Sequence, residues 1–283
     1  MSETATRKVV IAPRMSDKDP ARYARSQRLR SRILGIGTPV ILLLAWQIAA
    51  SVGAVDARFF PAPTTIFAEG TELVSNGQLA TDLWATLRSL LIGYGLGFVA
   101  GLATGSILGL SQTARAALEP MLSAIYTIPK LAILPLLLLI FGLGELPKIL
   151  LIALGVFFVI WVTVLEALED IQPTYLEAAH IFEIRGWQRF RHVLIPAILP
   201  SLFTGIRLAL ANAVLIAVAT EFVNGDSGIG YRIWHSWSLF QASQMYVGIV
   251  VVAFMGFLLT YFVKWLSSKL VPWAPRENKR SAT

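Results

Sequence analysis

Apolar residues run along this chain in long blocks separated by short polar intervals. Six blocks, residues 33–52, 84–110, 118–141, 147–168, 197–223 and 245–268, approach or exceed the ~20 residues that an α-helix needs to cross a hydrocarbon core. None shows the alternating ten-residue segments of an outer-membrane barrel. The pattern predicts an all-α polytopic membrane protein of six transmembrane helices, with both termini on one side.

The intervals have patterns of their own. The first opens at Pro61 and closes at Asn76 and Gly77, predicting a short helix that carries Ile66, Gly70, Leu73 and Val74 on one face. In the interval before the last block, Ile233, Trp234, Trp237 and Phe240 recur at helical spacing, as in a short helix lying in an aromatic belt. The interval 169–196 predicts two short helices. Thr174 and Glu177, just after Pro173, are spaced as a capping box, so a helix is expected through Ala178, Ala179 and Phe182. Trp187, Phe190 and Leu194 form a second apolar line, and Pro196 and Pro200 are expected to end the segment and restart the chain as the fifth span.

Small residues mark packing faces. Gly93, Gly97, Gly101, Gly105 and Gly109 repeat every fourth position of the second span, and Ser201, Gly205, Ala209, Ala213 and Ala217 do so in the fifth, with Glu221 one step further on. In lipid such ridges let helix backbones approach closely.

Charge then orients the pattern. Of 24 Lys and Arg, nine precede Ile33, and basic residues near short loops stay on the cytoplasmic side. Residues 1–32 carry no apolar run and read as a solvated cytoplasmic tail against anionic lipid rather than a cleavable signal. The 169–196 segment and the tail 269–283 fall on the same side, whereas the opposite loops hold only Arg58, Lys148 and Arg232. The tail offers a single aromatic, Tyr23, so nucleic acid is not an expected partner.

Catalytic signatures are missing. The sequence has no His-Glu-x-x-His, no Gly-x-Ser-x-Gly, no phosphate-binding Gly-x-x-x-x-Gly-Lys and no cysteine, and His180, His192 and His235 do not cluster. Gly228 and Gly230 read as a turn. The chemically notable residues are charges inside spans, each costing about 2.5–3.5 kcal/mol at a helix centre. Arg88 and Glu221 lie near span ends and are expected to snorkel, and Arg207 to reach the inner surface along its own stem. Lys130 follows Pro129 midway through a span that also holds Pro120 and Pro135, so it either lines a path or bonds the carbonyls that the prolines free. A transporter or channel driven by an ion gradient would show inverted repeats and midplane carboxylates, and neither is evident.

Glu177-Ala-Ala179, a run of fixed length, then Val193-Leu-Ile-Pro196 and Pro200 resemble the EAA loop of ABC-importer permeases. Pro129-Lys-Leu-Ala-Ile-Leu-Pro135, Phe141-Gly-Leu-Gly-Glu145, Gly205-Ile-Arg-Leu-Ala209 and Ser227-Gly-Ile-Gly-Tyr231 are similar to the nitrate/sulfonate/taurine branch, and the similarity extends over residues 33–273. The resemblance implies a type I importer permease domain over 33–268 in the bacterial inner membrane. It implies no ATPase activity of its own, ATP and Mg being bound by two cytosolic ABC subunits. A second copy of the permease and an external solute-binding protein would complete the machine, whose cargo is a small anion. Glu177, Ala178, Ala179 and Phe182 would form the coupling helix, supported by Gly186, Trp187, Phe190 and Pro196. Tyr126, Thr127, Lys130, Asn212 and Thr220 are the expected path lining. One position departs from the family: Glu183 stands where a glycine is usual, and Gly186 follows three residues later, so the bend of the loop is expected to be displaced or capped differently.

Overall fold

The computed structural model describes residues 20–273, without the side chains of residues 20–26, 28, 31–32 and 224. Residues 1–19 of the basic tail and 274–283 of the C-terminal tail lie outside this part. Among the described residues every regular element is helical. The chain divides into two compact units, Met1–Thr65 and Ile66–Thr283.

In the first unit, α1 (Pro20–Ser51) contains the apolar run Ile33–Ser51 and begins well upstream of it. Proline is tolerated as a first helical residue because its missing N–H would be unpaired there anyway. Part of the expected solvated tail is therefore helix. Beyond α1, Arg58 and Asp56 form an exposed pair at 2.7 Å, and the Thr64 N–H donates to Gln47 Oε1 at 3.1 Å.

The second unit holds α2 (Pro63–Ser75), most of which lies past the boundary, then α3 (Gln78–Leu110), α4 (Gln112–Tyr126), α5 (Leu134–Phe141) and α6 (Glu145–Glu169). There follow α7 (Pro173–Ile181), α8 (Gly186–Arg189), α9 (Ile195–Asn224), α10 (Ile229–Ser238) and α11 (Ala242–Leu270). Of the expected face of α2, Ile66 and Leu73 are buried and Val74 is exposed, and Glu69 accepts a bond from Gln244 of α11 at 2.9 Å.

The centre of this unit is α6, the most apolar span, whose Leu151, Ile152, Val156, Ile160 and Val164 are fully buried. Its two neighbours approach it through small residues. The five glycines of the ladder on α3 all face α6: a Cβ on Gly93 would lie 2.7 Å from the Ile149 carbonyl oxygen, one on Gly101 2.6 Å from that of Phe157, and one on Gly109 would strike Leu168. From the other side Gly205 of α9 abuts Thr163, Gly155 of α6 accepts Ile216, and Ala209, Ala213 and Ala217 are completely buried. α3 and α9 also touch directly, where the Tyr94 hydroxyl donates to the Ile206 carbonyl at 2.9 Å.

The third apolar block departs from a plain span. Its helix starts at Gln112, inside what the sequence reads as a loop, because the Ser111 side chain caps it by accepting from the Ala114 N–H. The chain then breaks: α4 and the stretch Lys130–Phe141, a 3₁₀ turn leading into α5, are inclined at 89°. Pro129 supplies no N–H and biases Ile128 away from the helical region, so the helix stops there. The block is built of two half-length helical pieces about this break rather than one straight helix.

The glycine ladder generates a discriminating prediction. Gly101→Ala places a methyl group against backbone that cannot move aside, and is expected to cost about 1–3 kcal/mol. Gly95→Ala meets nothing within 4 Å and should leave stability unchanged or raised. Thermal melts of the detergent-purified protein distinguish the two.

Candidate functional site

α3 and α6 run parallel and α9 runs antiparallel to both, with the end of α11 returning to the start of α9, which sends the 169–196 segment and the end of α11 to one end of the unit and α10 to the other. At the first end α7 begins at Pro173 with Gln172 as N-cap, and no side chain caps it. The expected capping box does not form: Thr174 lies inside the first turn and Glu177 a turn later, both exposed. Proline preset for helix at the first position makes the side-chain cap unnecessary.

The end of α7 resolves the question posed by Glu183. The Ile184 N–H donates to the Ala179 carbonyl at 2.8 Å and the Glu183 N–H to that of His180 at 3.0 Å, the paired bonds of a Schellman motif. That motif needs its pivotal residue in the left-handed region, and Glu183 has φ 53°. The bend therefore sits at the family's glycine position, undisplaced, with glutamate accepting a conformation that costs a side-chain-bearing residue about 1–2 kcal/mol. Gly186, φ 54°, supplies a second left-handed turn and opens α8.

This geometry sorts the side chains. Ala179 is buried beside a small core of Ala167, Ile171, Leu194 and Ile198, onto which Leu176 and Phe190 pack. Glu177 and Ala178 face outward, with Tyr175, Ile181, Phe182 (74% exposed) and Trp187 (68% exposed) around them. Trp187 leans on Phe190 at 5.3 Å between ring centroids. The result is a surface of large apolar groups about two small or acidic ones, fixed from beneath.

Pro196 and Pro200 do not interrupt the chain. α8 passes through a π turn, Phe190–Leu194, straight into α9, giving one continuous helix from Gly186 to Val223. The wider turn lets the Ile195 N–H reach the Phe190 carbonyl just ahead of Pro196, which has no N–H to give. Pro200 likewise leaves the Pro196 carbonyl without its helical partner, and the indole N–H of Trp273 donates to it at 3.2 Å. A cleft of about 750 Å³ opens between α7, the start of α9 and Trp273, bordered by Ala179, Ile184, His192, Pro196 and Ser201.

The expected path lining scatters. The Lys130 ammonium donates to the carbonyls of Tyr126 and Ile128, those freed at the Pro129 break, and stands over the rings of Tyr126 and Phe158 at 4.8 and 4.7 Å. Of its two open roles the carbonyl-bonding one is realised. Tyr126 and Thr127 are exposed, and Asn212 is half-buried towards Gly155. Thr220 is buried, its hydroxyl turned to the Ile216 and Ala217 carbonyls, and opens onto no surface of the protomer.

At the opposite end lies a polar cluster that sequence reading missed. Glu221 does not snorkel: it is fully buried, pairs with Lys148 at 3.0 Å and accepts from the Thr86 hydroxyl and the Gly230 N–H. Lys148, expected in a loop, is buried too. Thr86 in turn accepts from the Ile229 N–H at 2.9 Å, and Asp82 accepts from the Gly228 N–H and pairs with Arg232. Three consecutive backbone donors at the start of α10 are thus met by side chains of α3 and α9. Gly228 has φ 112°, and a Cβ there would lie 2.5 Å from the Glu221 carboxyl carbon, so its glycine is required twice over. Arg88 also finds a partner rather than the surface alone, Glu145 at 3.5 Å.

The architecture and the outward-facing 173–194 segment are matched by the family model described as binding-protein-dependent transport system inner membrane component, over residues 93–273. The chain belongs to this family. Among similar curated permeases is the SsuC protein of Bacillus subtilis (strain 168), named for aliphatic sulfonates transport, 34% identical over 84% of this chain and 87% of its own. The taurine transport system permease TauC of Escherichia coli (strain K12) is 29% identical over 86% and 90%, and the nitrate import permease NrtB of Leptolyngbya laminosa 27% identical over 92% and 96%. The fold is shared with a chain of the inward-facing MetNI methionine ABC transporter, TM-score 0.57 at 24% identity, covering 70% of this permease and 97% of that chain.

Two substitutions test the site's construction. Glu183→Gly relieves the left-handed strain and is expected to raise stability by about 1 kcal/mol without shifting the bend, read as a higher melting temperature. Glu221→Ala strands a buried ammonium and should cost about 3–5 kcal/mol, whereas Glu221→Ala combined with Lys148→Met recovers much of the loss in a double-mutant cycle.

Proposed function

We propose that this permease is the membrane subunit of an ATP-driven importer that moves a small oxyanion, of the sulfonate, taurine or nitrate kind, delivered by an external binding protein. Two copies of the chain form the path, and two cytosolic ABC subunits, holding the ATP and Mg, dock on the 173–194 surface, which faces the cytoplasm. The basic N-terminal tail is cytoplasmic on the same reading. The observation that carries it is the outward-facing surface around Ala178: a short helix that buries Ala179 and exposes Ala178 and Glu177 between large apolar side chains, followed after the Glu183 bend by α8, which continues through a π turn into α9. Small residues let such a helix enter a groove, and the unbroken connection lets motion of the groove reach the membrane. Exposed apolar groups of this size on a rigid support mark a partner site rather than a solvated linker. In this reading Tyr126, Thr127 and Asn212 remain with the path, and Lys130 holds the broken third span in shape at its edge.

Co-purification from native membranes should bring a cytosolic ABC subunit with the tagged chain. Ala178→Cys gives the chain its only thiol, and that thiol should crosslink to a cysteine in the ATPase groove. Labelling of the same thiol from outside the cell overturns the orientation. Glu177→Ala is expected to weaken docking by about 1 kcal/mol, roughly fivefold, seen as lower solute-stimulated ATP hydrolysis. An unchanged stimulated rate removes Glu177 from the interface.

A further inference from the structure

Among the described residues, the cations within the spans divide into those held by a partner, two near the end of the last span, and Arg207. Lys148 is held by Glu221, Arg88 by Glu145, Arg115 by Glu119 and Glu169, and Lys130 by two carbonyls and two rings. Lys264 and Lys269 stand in the last two turns of α11, where a long stem reaches the surface. Arg207 of α9 forms no ion pair among the described residues, and its single bond is from Nη2 to the Thr204 hydroxyl oxygen at 3.2 Å.

Its depth rules out an easy escape to water. Gly205 is level with Thr163 of α6 and Asn212 with Gly155, so Arg207 lies about one turn from the middle of α6. The neighbouring Ile206 carbonyl meets the side chain of Tyr94, the midpoint of α3. The guanidinium folds back only as far as Thr204, still about 12 Å along the axis from Pro196. The stem of Arg207 is thus turned toward the inner end of α9, as expected, and its head is taken up by Thr204.

Its direction is equally specific. Arg207 is half-buried at the border of a strip of α9, Thr204, Leu208, Ala211 and Leu215, that is exposed among the described residues of its unit. Facing lipid, an unpaired guanidinium at this depth costs about 2.5–3.5 kcal/mol or more, so the strip must adjoin protein and water in the working assembly. Thr204 occupies one N–H of the fork and passes its own proton to the Pro200 carbonyl at 3.3 Å, which fixes the hydroxyl as an acceptor and leaves the remaining donors free.

We propose that Arg207 is the cationic contact of the solute path: positioned by Thr204 on the exposed strip of α9, its guanidinium pairs with the oxyanion group of the passing solute. The planar fork suits the two adjacent oxygens of a sulfonate, carboxylate or nitrate, and a point charge would not hold their orientation. This rests on the importer reading for the existence of a path, and adds to it the residue that makes the path selective for anions.

The absence of cysteine supplies the test. Ala211→Cys places a sole thiol one turn from Arg207 in the reconstituted protein with whatever native subunits accompany it. Its modification is timed with methanethiosulfonates carrying a sulfonate or a trimethylammonium group, from each side of the membrane, with and without ATP. The ratio of the sulfonate rate to the trimethylammonium rate is expected to fall about tenfold on Arg207→Gln, the scale of charge focusing in a cleft, and to persist in Arg207→Lys. Arg207→Met reads the same ratio should the Gln variant not insert. A thiol unreactive to both reagents under every condition means that the strip faces lipid with Arg207 drawn to headgroup phosphate, and overturns the proposal, as does a ratio that Arg207→Gln leaves unmoved. Failure of the importer reading appears elsewhere, as a chain that captures no ABC subunit while the ratio still shifts.

Discussion

Within a bilayer every backbone carbonyl, N–H and charge must find its partner inside the protein, and the departures of this chain from plain helix all follow from that demand. Proline is the usual offender, since each one deletes a donor and orphans a carbonyl four residues back. Pro129 breaks the third span, and Lys130 turns its ammonium to the two carbonyls exposed at the break. Pro200 orphans the Pro196 carbonyl, and Trp273 comes back from the end of α11 to satisfy it. Ahead of Pro196 the helix widens by one residue into a π turn instead of stopping. The same demand, met by charge, builds the Lys148, Glu221 and Thr86 cluster around the first N–H groups of α10.

What the sequence made legible was periodic. Apolar block lengths located the spans, and the four-residue glycine spacing located the face of α3 that meets α6, because close approach depends only on which side of a helix lacks a Cβ. What it concealed was pairing between blocks. Glu221 continues the small-residue line of α9, so its burial was written in the same spacing that buries Ala213 and Ala217. Lys148 stands at the matching level of the antiparallel neighbour, yet only the packing of α6 against α9 makes the two a pair. Proline was over-read as punctuation: Pro196 and Pro200 were expected to end a helix that in fact runs through them, since neither a π turn nor a distant indole leaves a local mark. Glu183 shows the opposite error of emphasis. A missing glycine suggested a moved bend, but the hydrogen bonds of the Schellman motif fix the pivot, and the residue type there adjusts only the strain.

Function was legible at the level of the machine and less so at the level of the path. The 173–194 segment stands out in the sequence because alanines and large apolar residues crowd a short polar interval, and the structure turns Ala179 inward and Phe182 and Trp187 outward. A path has no such signature: its residues are read by where they face, and Thr220, plausible by type, is sealed inside α9's own turn.

The continuity of α9 connects these levels. From Gly186 at the proposed docking surface to Glu221 in the buried cluster there is one helix, clamped at its far end by a carboxylate that holds α3, α6 and α10 together, and free along the strip beside Arg207. A push at Trp187 therefore cannot be absorbed by a loop; it must tilt α9 about the cluster or strain the π turn, whose wider, less regular bonding makes it the softest point along the helix. Tilting moves the middle of the helix, where Arg207 lies, while leaving the clamped end in place. A lever of this form needs a stiff arm, a fixed pivot and a group that changes its exposure midway, and along this single helix the chain places a π turn, an arginine without an ion-pair partner and a buried ion pair in that order.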